Sequence, residues 1–357
     1  MAVTERLSWA RAAGARLTTP LQPDDYLSLV NPLWTARELR GRIEKVVPET
    51  EDAATVVIRP GWGWRYDHKP GQYVGIGVQV DGKFHWRSYS VSSPPRRDGR
   101  TIAITDRAKP EGFLSQHLVE GLVPGTIVRL ALPAGEFVLP DPPPARMLML
   151  VGGSGITPVM SMLRTLDRRG TMPDVVVHYS STTEERMIFR DEIVGLADRH
   201  EGLTLHRLHT DVDGMLDLAD LDTLVPDWRE RETWLCGPTG LLDAAEAHWE
   251  AAGIADRLHT ERFRPSVVEP GEGGTVTFDR STMTVEADGG TPILDAGEAA
   301  GVLMPSGCRM GICFGCVVPL REGAVRDLRT GEITEAEPGV LIQTCVSAAA
   351  GPCDIER

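Results

Sequence analysis

Hydrophobic and polar positions alternate in short runs through the first third of the chain, as in Ala54-Thr-Val-Val-Ile58, Gln72-Tyr-Val-Gly-Ile76 and Thr101-Ile-Ala-Ile104. Period-two runs separated by turn residues predict the strands of an antiparallel β-barrel, here over residues 37–144, closed by Asp141-Pro-Pro-Pro144. The pattern then changes. Continuous apolar runs, Met147-Leu-Met-Leu-Val151, Val175-Val-Val-His-Tyr179 and Trp234-Leu-Cys236, are interleaved with amphipathic stretches such as the one ending at Arg169. That alternation predicts a parallel, doubly wound α/β sheet over residues 145–264. Residues 265–274, rich in proline, glycine and glutamate, read as a linker. Residues 275–357 predict a small α+β body with strands at 275–278 and 283–287, a helix over 292–300 and a cysteine-bearing loop. The expected fold class is therefore multidomain, with residues 1–36 as an amino-terminal extension.

The cysteine loop carries the most specific chemistry. Cys308, Cys313 and Cys316, followed by the distant Cys345, have the Cys-x4-Cys-x2-Cys…Cys spacing of a plant-type 2Fe-2S cluster. Gly307, Gly311 and Gly315 supply the conformational freedom that a loop wrapped round a cluster needs. A zinc site is the rival reading, but zinc sites usually pair two Cys-x2-Cys knuckles and this chain has one. A set of merely packed thiols would reach that spacing only by chance.

Composition narrows the class. A chain of 357 residues has room for two or three domains, and its six cysteines, four of them in the cluster motif, do not form a secreted disulfide framework. No run approaches the apolar length of a membrane helix, and Met1 to Thr19 lacks the apolar core of a signal peptide, so no stable membrane insertion and a cytoplasmic location are expected. A net charge of -14 speaks against nucleic acid as a partner and permits docking to a basic surface. Residues 271–357 share that acidity.

Three further motifs bind phosphate or stack on rings in principle. Arg87-Ser88-Tyr89-Ser90 closes a strand, with a forked cation, an aromatic ring and two hydroxyls. Gly112-Phe113-Leu114-Ser115 opens a helix whose free amides suit an anion. Gly152-Gly153-Ser154-Gly155-Ile156-Thr157-Pro158 forms a glycine-rich turn between a strand and a helix, where a pyrophosphate can approach the backbone. It departs from the G-x-G-x-x-G fingerprint, and each motif alone also fits a turn that binds nothing.

Taken together, in this order and with Cys236-Gly237-Pro238, these motifs resemble the ferredoxin-NADP reductase superfamily. The resemblance runs from about Arg37 onward. It is closest to one-chain reductases built of a flavin domain, a nicotinamide domain and a carboxy-terminal β-grasp ferredoxin, as in phenylacetyl-CoA epoxidase reductase and 3-ketosteroid 9α-hydroxylase reductase. The resemblance implies FAD, a 2Fe-2S cluster and NADPH, with NADH as the alternative donor. It implies that Arg87 and Ser115 hold flavin phosphates, that Tyr89 stacks on the ring and that Ser90 bonds near N5. Cys236 would lie by the nicotinamide, making Ser90 and Cys236 the candidate catalytic pair, with Glu261 and Phe263 near the flavin. Ser180, Ser181 and Arg186, after the second sheet strand, favour NADPH because no carboxylate directly follows that strand.

A relay from nicotinamide through flavin to cluster follows from the cofactors, which carry the chemistry while the protein sets geometry and potential. A plant-type cluster near roughly -400 mV can reduce an oxygen-activating iron centre. The amino-terminal extension resembles that of bacterial reductases serving membrane acyl-CoA or acyl-lipid desaturases, so a membrane desaturase is the first expected acceptor. It can equally serve only to brace the barrel. A Rieske or other non-haem oxygenase, or a haem monooxygenase, is the alternative terminal oxygenase, and a flavin/iron-sulfur redox sensor is the alternative of another class. A monomer is expected.

Overall fold

The computed structural model describes residues 23–35, 38–64, 67–80, 83–95, 101–108, 113–263, 271–307, 309, 311 and 314–357. They fall into two compact units. One holds the barrel and the parallel sheet, and the other holds residues 262–357 with residues 84–88.

The alternating runs of the first third become an antiparallel sheet of β1 (Arg40–Thr50), β2 (Ala53–Pro60), β3 (Tyr73–Val80), β4 (Lys83–Ser90), β5 (Ile102–Arg107) and β6 (Ile127–Leu130), in the order β4-β3-β6-β1-β2-β5. A bridge between Val91 and Ile104 brings the end of β4 back to β5 and curls the sheet into a barrel. Its inward side chains, among them Ile43, Val56, Ile58, Val74, Ile76 and Ile104, form one buried core. A short helix, Phe113–Gln116, runs into a π-turn at His117–Gly121, and Leu114 and Leu118 plug the barrel.

The amino-terminal segment is fastened to this body. After the helix Pro23–Val30, the Trp62 amide donates to the Leu33 carbonyl at 2.9 Å, and the Trp34 and Trp62 rings stack with centroids 5.8 Å apart. Leu33 is buried. Leu33 and Trp34 thus pack against the turn after β2.

The second body is a five-stranded parallel sheet of β7 (Arg146–Gly152), β8 (Asp174–Ser181), β9 (Leu203–His209), β10 (Glu232–Cys236) and β11 (Leu258–Glu261), ordered β11-β10-β7-β8-β9. β7 is buried from Met147 to Gly152 because elements cover both faces, which is why its sequence is a continuous apolar run. The helix Ile156–Arg169 stops at Gly170, whose φ of +66° ends it in the left-handed conformation with its amide bonded back to the last turn.

The third body contains β12 (Gly271–Phe278), β13 (Met283–Gly289), the helix Ile293–Ala299, β14 (Val317–Asp327), β15 (Ile333–Glu335), β16 (Leu341–Gln343) and β17 (Ser347–Ile355). The main sheet is ordered β13-β12-β17-β14-β15, with β16 on β14 and β12 parallel to β17. Strand β12 begins at Gly271, so residues 271–274 are sheet rather than linker. Their glycines serve close packing: a Cβ at Gly274 would lie 2.3 Å from the Gly351 carbonyl oxygen, and one at Gly273 would lie 2.4 Å from that of Ala287. Residues 265–270 of the expected linker lie outside the described residues.

Candidate cofactor sites

The glycine turn and Cys236-Gly237-Pro238 meet at the carboxy-terminal edge of the parallel sheet, joined there by Ser90 of the barrel and Glu261 of β11. The turn after β7 packs directly on the segment after β10. A Cβ on Gly155 would lie 1.9 Å from the Cys236 carbonyl oxygen, and one on Gly152 would lie 2.6 Å from Cδ of Pro238. Two of the three glycines are therefore required by packing. Gly153 is different: its φ is +54°, and a Cβ there would meet nothing within 4 Å, so it is the glycine facing open space. Thr157 fixes the turn by donating its hydroxyl to the Ser154 carbonyl at 3.0 Å, and Pro158 is buried in the first helical turn.

Strand pairing sets Cys236 beside Val151 on one side and Glu261 on the other. Burial pushes the Cys236 thiol well above its ordinary value, and the neighbouring Glu261 carboxyl adds to the effect. From the barrel, Ser90 at the end of β4 donates its hydroxyl to Glu261 Oε2 at 3.4 Å. Burial raises the Glu261 carboxyl to about 8, a rise that the Ser90 hydroxyl partly offsets. Ser90, Cys236 and Glu261, which are far apart in sequence, thus form one cluster, uncharged at neutral pH. Phe263 follows Glu261 by two residues and is half-buried.

The barrel and the parallel sheet are fastened next to this cluster. Ser161 donates to the Ser93 carbonyl at 2.8 Å, Arg164 to the Ser92 carbonyl at 2.7 Å, and His68 Nε2 lies 2.9 Å from the same Ser93 oxygen. These bonds hold the end of β4 against the helix that begins at the glycine turn.

The remaining flavin candidates are placed as follows. Arg87 is exposed, with Nη1 on the Trp86 carbonyl at 2.8 Å. Tyr89 packs against the barrel core. Ser88 Oγ is buried without a hydrogen-bond partner among the described residues, an orphaned polar atom of the kind that a bound group satisfies. Leu114 is buried and Ser115 half-buried. Gly112, and the side chain of Phe113, lie outside the described residues.

At the nucleotide end the structure separates the three expected residues. Ser180 Oγ is buried with no partner among the described residues, and Ser181 Oγ donates to the Thr183 carbonyl at 2.8 Å and lies 3.2 Å from His209 Nδ1. Arg186 turns away from them. Its guanidinium pairs with Asp52 in the turn between β1 and β2, and its carbonyl accepts from Arg107. Sequence reasoning missed His209, which belongs to β9 and becomes a neighbour of Ser181 only through strand register. A cavity of about 440 Å³ beside β9, lined by His178, His206, Arg207 and His209 among others, adjoins this strand end.

In the third body, Cys316 and Cys345 are buried and not joined by a disulfide, with sulfurs 3.2 Å apart. That distance exceeds the ~2.05 Å of a disulfide, and it suits two thiols converging on one metal. The Thr344 hydroxyl donates to the Cys316 carbonyl at 3.0 Å and fixes the pair's separation. Among the described residues of the loop, Arg309 (59°), Gly311 (73°) and Phe314 (56°) have positive φ. Arg309 is anchored to the adjacent helix through Asp295 at 2.8 Å and Glu298 at 2.5 Å. Two buried thiols, one at the end of a tightly wound loop and one after β16, converge in a way that fits an iron-sulfur centre. Cys308 and Cys313 lie outside the described residues.

Comparison with known proteins agrees with this arrangement. The oxidoreductase FAD-binding domain family matches residues 65–139, the oxidoreductase NAD-binding domain family residues 149–247, and the 2Fe-2S iron-sulfur cluster binding domain family residues 276–350. The chain belongs to the ferredoxin reductase superfamily, as one of its one-chain members with a carboxy-terminal 2Fe-2S domain, and is an NAD(P)H oxidoreductase of that type. It is 58% identical over 349 residues to an NADPH oxidoreductase of Mycobacterium tuberculosis, covering 97% of this chain and 91% of the relative. It is 30% identical to the stachydrine N-demethylase reductase subunit Stc4 of Rhizobium meliloti, covering 84% and 91%. In fold it is similar to phthalate dioxygenase reductase, with a TM-score of 0.62 at 23% identity over 90% of this chain and 98% of that one. Among the described residues, no helix is long and apolar enough to cross a membrane.

Proposed function

We propose that this protein takes electrons from NADPH and delivers them, one at a time, to an iron-containing oxygenase. The observation that carries the reading is the convergence of Ser90, Cys236 and Glu261 where the barrel meets the glycine turn of the parallel sheet. Bound there, a flavin would supply the conversion between a two-electron hydride donor and a one-electron 2Fe-2S acceptor, which neither a nicotinamide nor a cluster provides alone.

The protein's own part is to bind, orient and exclude. Arg87, Ser88 and Tyr89, with Ser115 and Gly112, would hold the flavin. The open backbone at Gly153, with Ser154 and the start of the helix at Ile156, would face the nucleotide pyrophosphate. Ser180 and Ser181 would meet the far ribose. Cys236, small, buried and kept as a neutral thiol, leaves room for a flat nicotinamide ring without placing a charge against it. Cys308, Cys313, Cys316 and Cys345 would ligate the cluster. On this reading the boundaries are 37–144 for the flavin domain, 145–264 for the nucleotide domain and 275–357 for the cluster domain.

NADPH as donor is supported by the absence of a carboxylate directly after β8 and by the name of the Mycobacterium tuberculosis relative. For the acceptor, Stc4, and the ferredoxin reductase component of 3-ketosteroid-9-alpha-monooxygenase of Mycolicibacterium smegmatis at 31% identity, speak for an oxygenase rather than a fatty acyl desaturase. The test is anaerobic reduction by NADPH and NADH in turn, with flavin and cluster absorbance followed separately. Flavin bleaching followed by cluster bleaching, faster with NADPH, is expected. An untouched cluster would refute the relay, and equal rates would refute the donor.

A further inference from the structure

Two side chains converge on a single backbone atom of the cysteine loop. The Gly311 carbonyl accepts from Arg329 Nη1 at 3.2 Å and from Gln343 Nε2 at 2.9 Å. Arg329 is itself fixed, with Nε and Nη2 on the two Asp327 oxygens at 3.1 and 2.6 Å and Nη2 also 3.4 Å from Gln343 Oε1. The Arg329 amide completes the set by donating to Asp327 Oδ1 at 2.8 Å. The result is a closed frame built from the end of β14, the end of β16 and the apex of the loop.

Gly311 is required there on two separate grounds. Its φ of +73° disfavours any side chain, and a Cβ would lie 2.4 Å from the Arg329 guanidinium. The loop is thus shaped to receive this cation. The same guanidinium is held close to the expected ligands, since it bonds Gly311, two residues before Cys313, and Gln343, two residues before Cys345, while the Leu328 amide donates to the Val346 carbonyl at 2.7 Å. Cluster potentials respond to net charge and hydrogen bonding round the sulfurs, and a cation beside a centre stabilises the form carrying the extra electron.

Resting on the cluster assignment above, we propose that Arg329 is a positioning residue of the cluster loop whose fixed charge also raises the reduction potential of the centre held by Cys316 and Cys345, with Gln343 sharing only the mechanical role. Charge and clamp are separable because lysine keeps the charge but loses the fork. The experiment compares full-length Arg329→Gln, Arg329→Lys, Gln343→Ala and Asp327→Asn with the unaltered protein. It reads the cluster's midpoint potential by redox titration and its rate of loss to a chelator.

Arg329→Gln is expected to lower the potential and speed cluster loss severalfold. Arg329→Lys should restore most of the potential but not the retention, and Gln343→Ala should speed loss at unchanged potential. Asp327→Asn removes a negative charge from the frame, so its potential should rise, and this arm decides the electrostatic part if Arg329→Gln retains no cluster. An unchanged potential in Arg329→Gln and Asp327→Asn, or an equal drop in Gln343→Ala, overturns the proposal. Absence of a 2Fe-2S spectrum in the unaltered protein would instead refute the cluster assignment itself.

Discussion

The Ser90 hydroxyl reaches the Glu261 carboxyl across 3.4 Å, joining the last residue of a barrel strand to the last residue of a strand in the parallel sheet, 171 positions away in sequence. Burial holds that carboxyl protonated to about pH 8. In the unfolded chain it ionises near its ordinary value of 4.5, so the stability it contributes is complete below that pH and is lost as pH rises towards 8. Glu261→Gln should flatten this dependence and gain roughly 2–3 kcal/mol relative to the parent at pH 8, less than the full shift implies because the side chain keeps some solvent contact. Urea unfolding at pH 5 and pH 8 measures it.

The turn after β7 separates structure from binding within one motif. Gly155→Ala places a methyl on the Cys236 carbonyl and should cost at least about 3 kcal/mol or prevent folding of the parallel sheet. Gly153→Ala meets no neighbour, and its left-handed backbone should cost only about 1 kcal/mol. If the open backbone faces the nucleotide, Gly153→Ala should still weaken NADPH binding at least about tenfold, or about 1.4 kcal/mol. Thermal unfolding and nucleotide titration of the two variants separate these effects.

Arg186 is committed to Asp52 and not to the strand end that carries Ser180 and Ser181. Arg186→Ala should therefore leave the ratio of NADPH to NADH turnover within about twofold, since a specificity change worth tenfold would need about 1.4 kcal/mol of differential binding. Its stability cost should be below about 1 kcal/mol because the pair is partly solvent-exposed. A large swing in the ratio would show that Arg186 leaves Asp52 to bind the nucleotide.

Cys353 is a packed thiol of β17, paired across the sheet with Val276 and Gly323. The run from Ser347 to Cys353 along an extended strand spans roughly 20 Å, which carries it away from Cys345. Burial pushes the thiol up to about 11, with Asp354 adding to the shift. Cys353→Ala should keep the full cluster spectrum at a cost of about 1 kcal/mol. In the parent, thiol reagents should reach Cys353 only on unfolding, and the stability that its neutral form contributes should fall as pH rises from 9 to 11.

The sequence was legible where one element dictates its own pattern. The apolar run of β7 reports burial on two faces, and both β7 and β2 stand where their residues predict them, although β2 is buried continuously from Ala53 to Val56 rather than on one face alone. The glycines at 273 and 274 misled because flexibility and close backbone approach require the same residue. His209 beside Ser181, Asp52 beside Arg186 and Gln343 beside Gly311 were illegible, since each pair exists only after register or tertiary packing has brought distant segments together. The cysteine spacing was readable because three of the four expected ligands, Cys308, Cys313 and Cys316, fall within nine residues of one another. The frame that supports this loop is drawn from β14 and β16, and its only local trace is the Asp327-x-Arg329 pair.

The parallel pairing of β12 with β17 has a consequence for biosynthesis. Translation delivers the strands from the amino terminus, and the parallel sheet of the nucleotide domain is complete once residue 261 has emerged. The cysteine-bearing sheet cannot fill in from one side, because its middle strand, residues 347–355, is the last of its strands to be made. A chain that stops anywhere between Gly289, the last residue of β13, and Cys345 therefore has all five strands of the parallel sheet but lacks the middle strand of the cysteine-bearing sheet. The sheet beside the cysteine loop closes only when the polypeptide through residue 355 is available to pair with β12 and β14.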